Sequence, residues 1–379
     1  MNDRKHIFKG ARRIVVKIGS NVLTAPKGLN LPVIRSVSRQ VSELMQTGRE
    51  VIMVSSGAMA SGMKKIQLAA RPVELPKRQA VAAVGQPGLM LEYEKAFARF
   101  NQNVAQILLT SDDLASRKRH LNARNTLNTL LAWKILPIIN ENDTVAVEEI
   151  EFGDNDNLAA MIALLMDAQL LINLTDIDGL YTRDPRSHGD AELLERVTRI
   201  DRNTEKYASD IPGALGTGGM ISKIKAARKL NAAGIPMVIA RGDSPDVLLD
   251  LTAGKPLGTY FVPREEKLRQ RKCWLAFSVK PEGALTLDDG AVKAVVKNGK
   301  SLLPSGIIAV ESDFRAGAAV EFRSRQGKVI GIGLVNYSSV QIRKICGLRS
   351  DEIVMALGQK TYDEVIHRDN LAVTLDEEN

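Results

Sequence analysis

Residues 137–174 read PIINENDTVAVEEIEFGDNDNLAAMIALLMDAQLLINL, and this stretch decides the fold. It opens on a short apolar run (Pro137–Ile139), crosses a polar loop, continues as an apolar helical segment (Leu158–Asp167) and closes on a second apolar run, Leu170–Leu174. Neither run alternates apolar with polar residues, which is how strands buried on both faces look. Working outward, the same pattern repeats. Arg13–Lys17 (RIVVK), Val51–Val54 (VIMV), Val104–Leu109 (VAQILL) and Met237–Ala240 (MVIA) are further candidate strands. Amphipathic segments lie between them, among them Pro32–Gln46, Leu121–Lys134 and Met220–Ala233. Strand–helix alternation of this kind predicts an α/β protein, an αβα sandwich around a mainly parallel central sheet.

The pattern changes after Tyr260. Arg264–Lys272 (REEKLRQRK) is charged and has no apolar face, so it reads as a linker or an exposed helix. From Gly283 to Gly358 short runs (Ala294–Val296, Ile307–Val310, Ala319–Phe322, Val329–Gly333) are separated by turn residues, which predicts a small β-rich second domain.

Composition narrows the class of protein. Apolar residues make up 44% and charged residues 25% of the 379-residue chain, ordinary for a globular protein. No apolar run approaches the ~20 residues of a transmembrane helix. The N-terminus, MNDRKHIFKGARR, lacks the apolar core of a secretory signal. Two distant cysteines, Cys273 and Cys346, argue against a disulfide framework, and His6, His120, His188 and His367 make no zinc pattern. A cytoplasmic protein without membrane association is expected. The net charge of +8 suits an anionic ligand, and equally a lysine-rich solvated surface.

The distribution of charge says more. Between Ile135 and Thr182 there is no Lys or Arg, yet the segment carries Glu141, Asp143, Glu148, Glu149, Glu151, Asp154, Asp156, Asp167, Asp176 and Asp178. Such a cluster repels itself unless it meets a metal ion, a cationic ligand group, or cations delivered from elsewhere in the chain.

Ligands of open α/β sheets bind beyond the carboxyl ends of the strands. The residues there are Lys17-Ile-Gly19-Ser20, Ser55-Ser56-Gly57-Ala58, Asn140-Glu141-Asn142-Asp143, Thr175-Asp176 and Arg241-Gly242. Each alone is an ordinary strand end; their coincidence across several strands points to a site. A Walker A loop is absent, because Met63 separates Gly62 from Lys64 in GAMASGMK (57–64), and no GxGxxG follows a strand. Gly216-Thr217-Gly218-Gly219-Met220-Ile221-Ser222-Lys223 opens a helical pattern, where glycines and free N–H groups favour an anion. Lys223 falls in the first turn of that helix, a poor place for a cation unless an anion joins it. In Gly153-Asp154-Asn155-Asp156-Asn157 one residue is explained by helix capping; four polar residues in a row are not.

These motifs together resemble the amino-acid kinase family, and within it the members that phosphorylate glutamate. The resemblance rests on VVKIGSNVLT (15–24), VSSGAMASG (54–62), AVGQ (83–86), LNARNTL (121–127), INENDTVA (139–146), FGDNDNLAA (152–160), LLINLTDIDGLYTRDPR (170–186) and GTGGMISK (216–223). LDDGA (287–291), GKSLLPSGI (299–307) and GIGLVNYSS (331–339) resemble a PUA domain. The resemblance implies an amino-acid kinase catalytic domain over 1–262, a linker over 263–280, a PUA-like domain over 281–360 and a C-terminal tail over 361–379. It implies ATP and Mg²⁺ as cofactors and L-glutamate as acceptor in the first step of proline biosynthesis. Proline as feedback inhibitor, a homo-oligomer, and delivery of product to a glutamate semialdehyde dehydrogenase are implied in the same way.

Residue by residue, the resemblance makes Lys17 and Lys223 the phosphate-contacting lysines and Asp156 the aspartate that orients them. Ser56, Asp143 and Asn155 match glutamate-binding positions, and Asn140 and Asp154 are expected to line that site. Thr175, Asp176, Thr217, Gly218, Gly219, Met220, Ile221, Ser222 and Lys223 match ATP-binding segments. A glutamate carboxylate, with a reference pKa of about 4.3, is ionised at neutral pH and needs no general base, which accounts for the lack of a well-placed histidine. The alternatives are another acidic-substrate kinase, such as an acetylglutamate kinase or aspartokinase, and an RNA-binding or RNA-modifying protein acting through the PUA-like part. With aromatics at only 4%, base stacking is thinly provided for.

Overall fold

The structure is a computed structural model that describes residues 2–26, 28–146, 155–209, 219–264 and 270–374. The chain divides into two compact units, residues 1–267 and 268–379.

In the first unit the apolar runs form an eight-stranded sheet. Its strands are Arg13–Ile18 (β1), Glu50–Ser55 (β2), Val104–Leu109 (β3), Leu136–Glu141 (β4), Leu170–Thr175 (β5), Arg196–Val197 (β6), Met237–Arg241 (β7) and Thr259–Phe261 (β8). The order across the sheet is β3-β4-β2-β1-β5-β7-β8-β6. All neighbouring pairs are parallel except β7 with β8. The chain builds outward from β1, to β2 on one side and to β5 on the other. The carboxyl end of β1 is therefore the topological switch point, where an open α/β sheet leaves a crevice.

Strand alternation decides what faces that crevice. Ile14, Val16 and Ile18 share one core cluster with Val37 and Val41 of the helix Leu31–Gln46 and with Leu89 and Phe97 of a longer helix. Val15 and Lys17 must then point to the opposite face. There lies the helix Asn155–Leu165, buried on nearly every side, as an all-round apolar sequence requires.

The segment after β2 is built on glycine. Gly57, with φ of 110°, turns the chain into the helix Ala58–Lys65 (α1), which packs against Leu75–Ala98 (α2). A Cβ on Gly85 would lie 1.9 Å from the Ala58 carbonyl oxygen and 2.3 Å from the Gly62 nitrogen. The two backbones are thus in direct contact. Gly85→Ala is expected to cost about 2–3 kcal/mol of stability through overpacking. Urea unfolding checks the loss.

The second unit holds a five-stranded sheet of Gly283–Leu287 (β9), Ile307–Glu311 (β10), Ala319–Arg323 (β11), Val329–Leu334 (β12) and Leu371–Val373 (β13), in the order β10-β9-β11-β12-β13. Three expectations need correction here. Ala294–Val296 is the end of a helix, Asp289–Val296, because Asp288 caps it (its carboxylate accepts from the Ala291 N–H at 2.6 Å) and the apolar residues fall at helical spacing. Within the expected linker, Gln270–Ser278 is a helix whose Trp274 and Leu275 are buried with Ala319, Ile332 and Ala372. Within the expected tail, Leu371–Val373 pairs antiparallel with β12 and so belongs to the sheet. Among the described residues no helix is long and apolar enough to cross a membrane.

Candidate active site

Lys17 and Asn173 stand in register on the neighbouring strands β1 and β5, on the same face of the sheet. Both reach one carboxylate. Lys17 Nζ is 2.5 Å from Asp156 Oδ1, and Asn173 Nδ2 donates to the same oxygen at 2.8 Å. The other oxygen, Oδ2, receives Lys223 Nζ at 3.1 Å and Ser222 Oγ at 2.5 Å. Asp156 lies in the first turn of Asn155–Leu165 (α3); Lys223 and Ser222 lie in the first turn of Met220–Ala232 (α4). Lys17, Asp156 and Lys223 are all buried. Burial pushes the Asp156 carboxyl up, but the charges of Lys17 and Lys223 and the hydrogen bonds from Lys17 and Ser222 outweigh it and hold the group well below the usual carboxylate range.

Among the described residues, two buried lysines share one carboxylate. That is a poor way to gain stability, since desolvating charges costs several kcal/mol each. It is a good way to receive an anion. Lys223, a cation in a first helical turn, here has Asp156 as a counter-charge. Gly19 packs closely here: a Cβ on it would lie 3.2 Å from the Leu174 carbonyl oxygen and 3.7 Å from Lys17 Nζ.

Beside this cluster runs a chain of amides. Gln86 Oε1 of α2 accepts from Asn140 Nδ2 at 2.9 Å. Asn155 Nδ2 lies 3.0 Å from Asn140 Oδ1 and 2.9 Å from Ser56 Oγ. Asn155 Oδ1 is buried with no hydrogen-bond partner among the described residues, an arrangement costing about 1–3 kcal/mol unless a ligand donor meets it. Three residues past Asn140, burial and the charge of Glu141 raise the Asp143 carboxyl to about 7, against the opposing pull of Arg78 and Arg71.

At the end of β5, Thr175 Oγ1 donates to Asp176 Oδ1 at 3.1 Å, and Asn21 Nδ2 donates to Asp176 Oδ2 at 3.0 Å. Gly219 precedes α4, and Met220 and Ile221 begin it. Asp154, Thr217 and Gly218 lie outside the described residues. The structure thus brings Lys17, Asp156, Ser222 and Lys223 into one cluster and Ser56, Asn140 and Asn155 into another. The two are joined through the consecutive residues Asn155 and Asp156.

The acidic segment is met by cations from elsewhere: Lys17 and Lys223 at Asp156, Arg241 at Asp178 and Arg124 at Asp167. Sequence reasoning assigned no role to Asn173, Gln86, Arg71 or Arg78. A signal for Asn173 was available, an amide in the middle of the buried run LLINL.

Residues 12–241 match the model of the amino acid kinase family, and residues 283–357 match that of the PUA domain. The chain is 50% identical to the glutamate 5-kinase of Syntrophus aciditrophicus (strain SB), covering 98% of this chain and 97% of that protein. It is 49% identical to the glutamate 5-kinase of Geobacter sulfurreducens, covering 98% of this chain and 100% of that protein.

Proposed function

The chain belongs to the amino acid kinase family, and on that premise we propose that it is an ATP-dependent kinase transferring the γ-phosphoryl group to the γ-carboxylate of L-glutamate. The product is L-glutamyl 5-phosphate, and the step opens proline biosynthesis. Whole-length similarity to glutamate 5-kinases supports this reading over an acetylglutamate kinase, an aspartokinase or a protein whose main work is on RNA.

One observation carries the mechanism: a single buried carboxylate, Asp156, grips lysines from two distant parts of the chain. Phosphoryl transfer needs little covalent chemistry from the protein and much positioning and charge neutralisation. Lys17 and Lys223 lower the repulsion between the acceptor carboxylate and the phosphates. Asp156, with Ser222 and Asn173, fixes where they stand. Ser56, Asn140 and Asn155 line the acceptor side, and the unpartnered Asn155 Oδ1 supplies an acceptor for the substrate's ammonium. Asp143 provides the opposing charge for that ammonium, and Asp154, which directly precedes Asn155 in the sequence, belongs to the same acceptor side. Thr175, Asp176 and the segment from Thr217 to Lys223 form the nucleotide side.

Mg²⁺ fits as an ion borne by the nucleotide. It is commonly held by phosphates with few protein carboxylates, and Asp156 is already matched by Lys17, Lys223, Ser222 and Asn173. When bound it neutralises phosphate charge. Catalysis is assigned to residues 1–262. A PUA-like role over 281–360, feedback by proline, a homo-oligomer, a cytoplasmic location and hand-over of the acyl phosphate to a glutamate semialdehyde dehydrogenase complete the proposal, on the strength of the family resemblance.

The test is ATP- and Mg²⁺-dependent formation of γ-glutamyl hydroxamate from glutamate and hydroxylamine, beside ADP release with aspartate and N-acetylglutamate. Glutamate is expected to be the preferred acceptor; a preference for either of the others sinks the reading. A pH effect is expected too. Only ionised Asp143 attracts the ammonium, and its carboxyl is raised to about 7. In consequence kcat/KM for glutamate should rise as pH increases through about 7. Asp143→Asn should raise KM and remove that limb from the profile.

A further inference from the structure

Helix α2 packs directly against the turn that carries Ser56. A Cβ on Gly57, the next residue, would lie 3.4 Å from Leu89 Cδ1 of that helix. Gln86 and Tyr93 flank Leu89 and are seven positions apart (93 minus 86), so they share one face of α2. Both are buried. Gln86 accepts from Asn140. Tyr93 meets Ser55, the last residue of β2, with 2.7 Å between the two hydroxyl oxygens. Ser55 is buried too, and its Oγ donates to the Ser56 carbonyl oxygen at 2.9 Å.

The hydrogens available fix the direction of this relay. A serine hydroxyl has one, and a carbonyl oxygen only accepts. The Ser55 hydrogen goes to Ser56, so the Tyr93 O–H donates to Ser55. Burial raises the Tyr93 phenol above its ordinary value, against an opposing pull from Ser55, so it keeps the proton it donates. Ser56 is then held at three points. Its N–H donates to the Ile18 carbonyl oxygen at 3.2 Å, its carbonyl oxygen accepts from Ser55, and its Oγ accepts from Asn155. Asn155 Nδ2 reaches Ser56 Oγ and Asn140 Oδ1 together. Both of those residues hang on α2, one through Ser55 and Tyr93, the other through Gln86. Core packing alone does not call for the Tyr93 hydroxyl: Phe97, one turn later, fills the same apolar cluster without one.

We propose that Tyr93 is a positioning residue for the acceptor: through Ser55 it fixes where Ser56 presents its hydroxyl to Asn155 and to the substrate. This deepens the reading of glutamate as acceptor and rests on it.

Tyr93→Phe removes one oxygen from a buried ring. Hydroxamate formation is measured at steady state for wild type, Tyr93→Phe, Ser56→Ala and the double variant. Tyr93→Phe should raise the KM for glutamate about 3- to 10-fold, the scale of one neutral hydrogen bond, and keep kcat and the KM for ATP within about twofold. In the Ser56→Ala background the same substitution should change the glutamate KM by less than about twofold, because the hydroxyl it positions is gone. An unchanged glutamate KM in Tyr93→Phe overturns the proposal. So does a rise that persists in full without the Ser56 hydroxyl, or a loss spread equally over kcat and the KM for ATP, which marks general damage to the core. If Tyr93→Phe does not fold, Ser55→Ala breaks the relay at its next link and is read in the same way. Failure of the parent reading looks different: wild type then forms no glutamate-dependent product at all.

Discussion

Alanine at position 17 is expected to lower kcat by about 10²–10³-fold while leaving the KM for glutamate within a fewfold of wild type. Lys17 is buried in the middle of the sheet, and strand alternation allows its side chain only one direction, toward α3 and the crevice. It cannot be replaced from solvent. Its removal takes away one of the two cations seen at Asp156. The energy of that charge is realised where negative charge crowds in the transition state, so the loss belongs to kcat. Lys17→Arg should rescue little, since a planar, larger guanidinium does not fit a position that is 4% exposed. The same argument applies to Lys223→Ala. Because both lysines act through Asp156, the double variant should lose less than the product of the single losses. Single-turnover phosphoryl transfer measures each term. Wild-type turnover by Lys17→Ala removes Lys17 from the mechanism, and strictly multiplicative losses remove the coupling through Asp156.

The parts of this arrangement legible in the sequence are those set by local pattern. Five of the six apolar runs become buried strands because a doubly buried strand has no choice but to be apolar; the sixth, Val104–Leu109, is an edge strand with Gln106 and Leu108 exposed. Their ends mark the crevice because chain order places β1 at the switch point. The pairing of Lys17 with Lys223 was not deducible from spacing. They are 206 positions apart in sequence (223 minus 17) and meet only because α3 and α4 bring their first turns to β1. Gln86 was hidden for a similar reason: it reads as an ordinary helix residue until α2 is laid along residues 140–146. The second unit misled where local pattern is ambiguous. Ala294–Val296 is as apolar as a strand, and only the Asp288 cap decides for helix. A three-residue strand such as Leu371–Val373 has too short a pattern to be told from a tail; its pairing with β12 is a property of the sheet.

Asp156 should be the most costly position of all, because it serves stability and catalysis at once. Asp156→Ala removes the carboxylate that two buried lysines share, and breaking a buried ion pair by removing one partner costs about 3–5 kcal/mol. It should also lower kcat by at least the loss of either lysine, since both are then free to turn from the phosphoryl group. Asp156→Asn separates the two roles. It keeps the shape and can still bond Asn173 and Ser222, so it should fold better than the alanine variant, yet it should be nearly as inactive because it holds no cation. The pH dependence identifies the charge itself. The folded-state carboxyl is held well below its ordinary value of about 3.9 by the two lysines. A depressed group contributes stability above its unfolded value and loses that contribution as pH falls toward its folded one. The stability difference between wild type and Asp156→Asn should therefore be constant above about pH 5 and shrink below about pH 4. Urea unfolding of both proteins across that range tests it, and a difference that stays flat in acid means that Asp156 holds its lysines by shape rather than by charge.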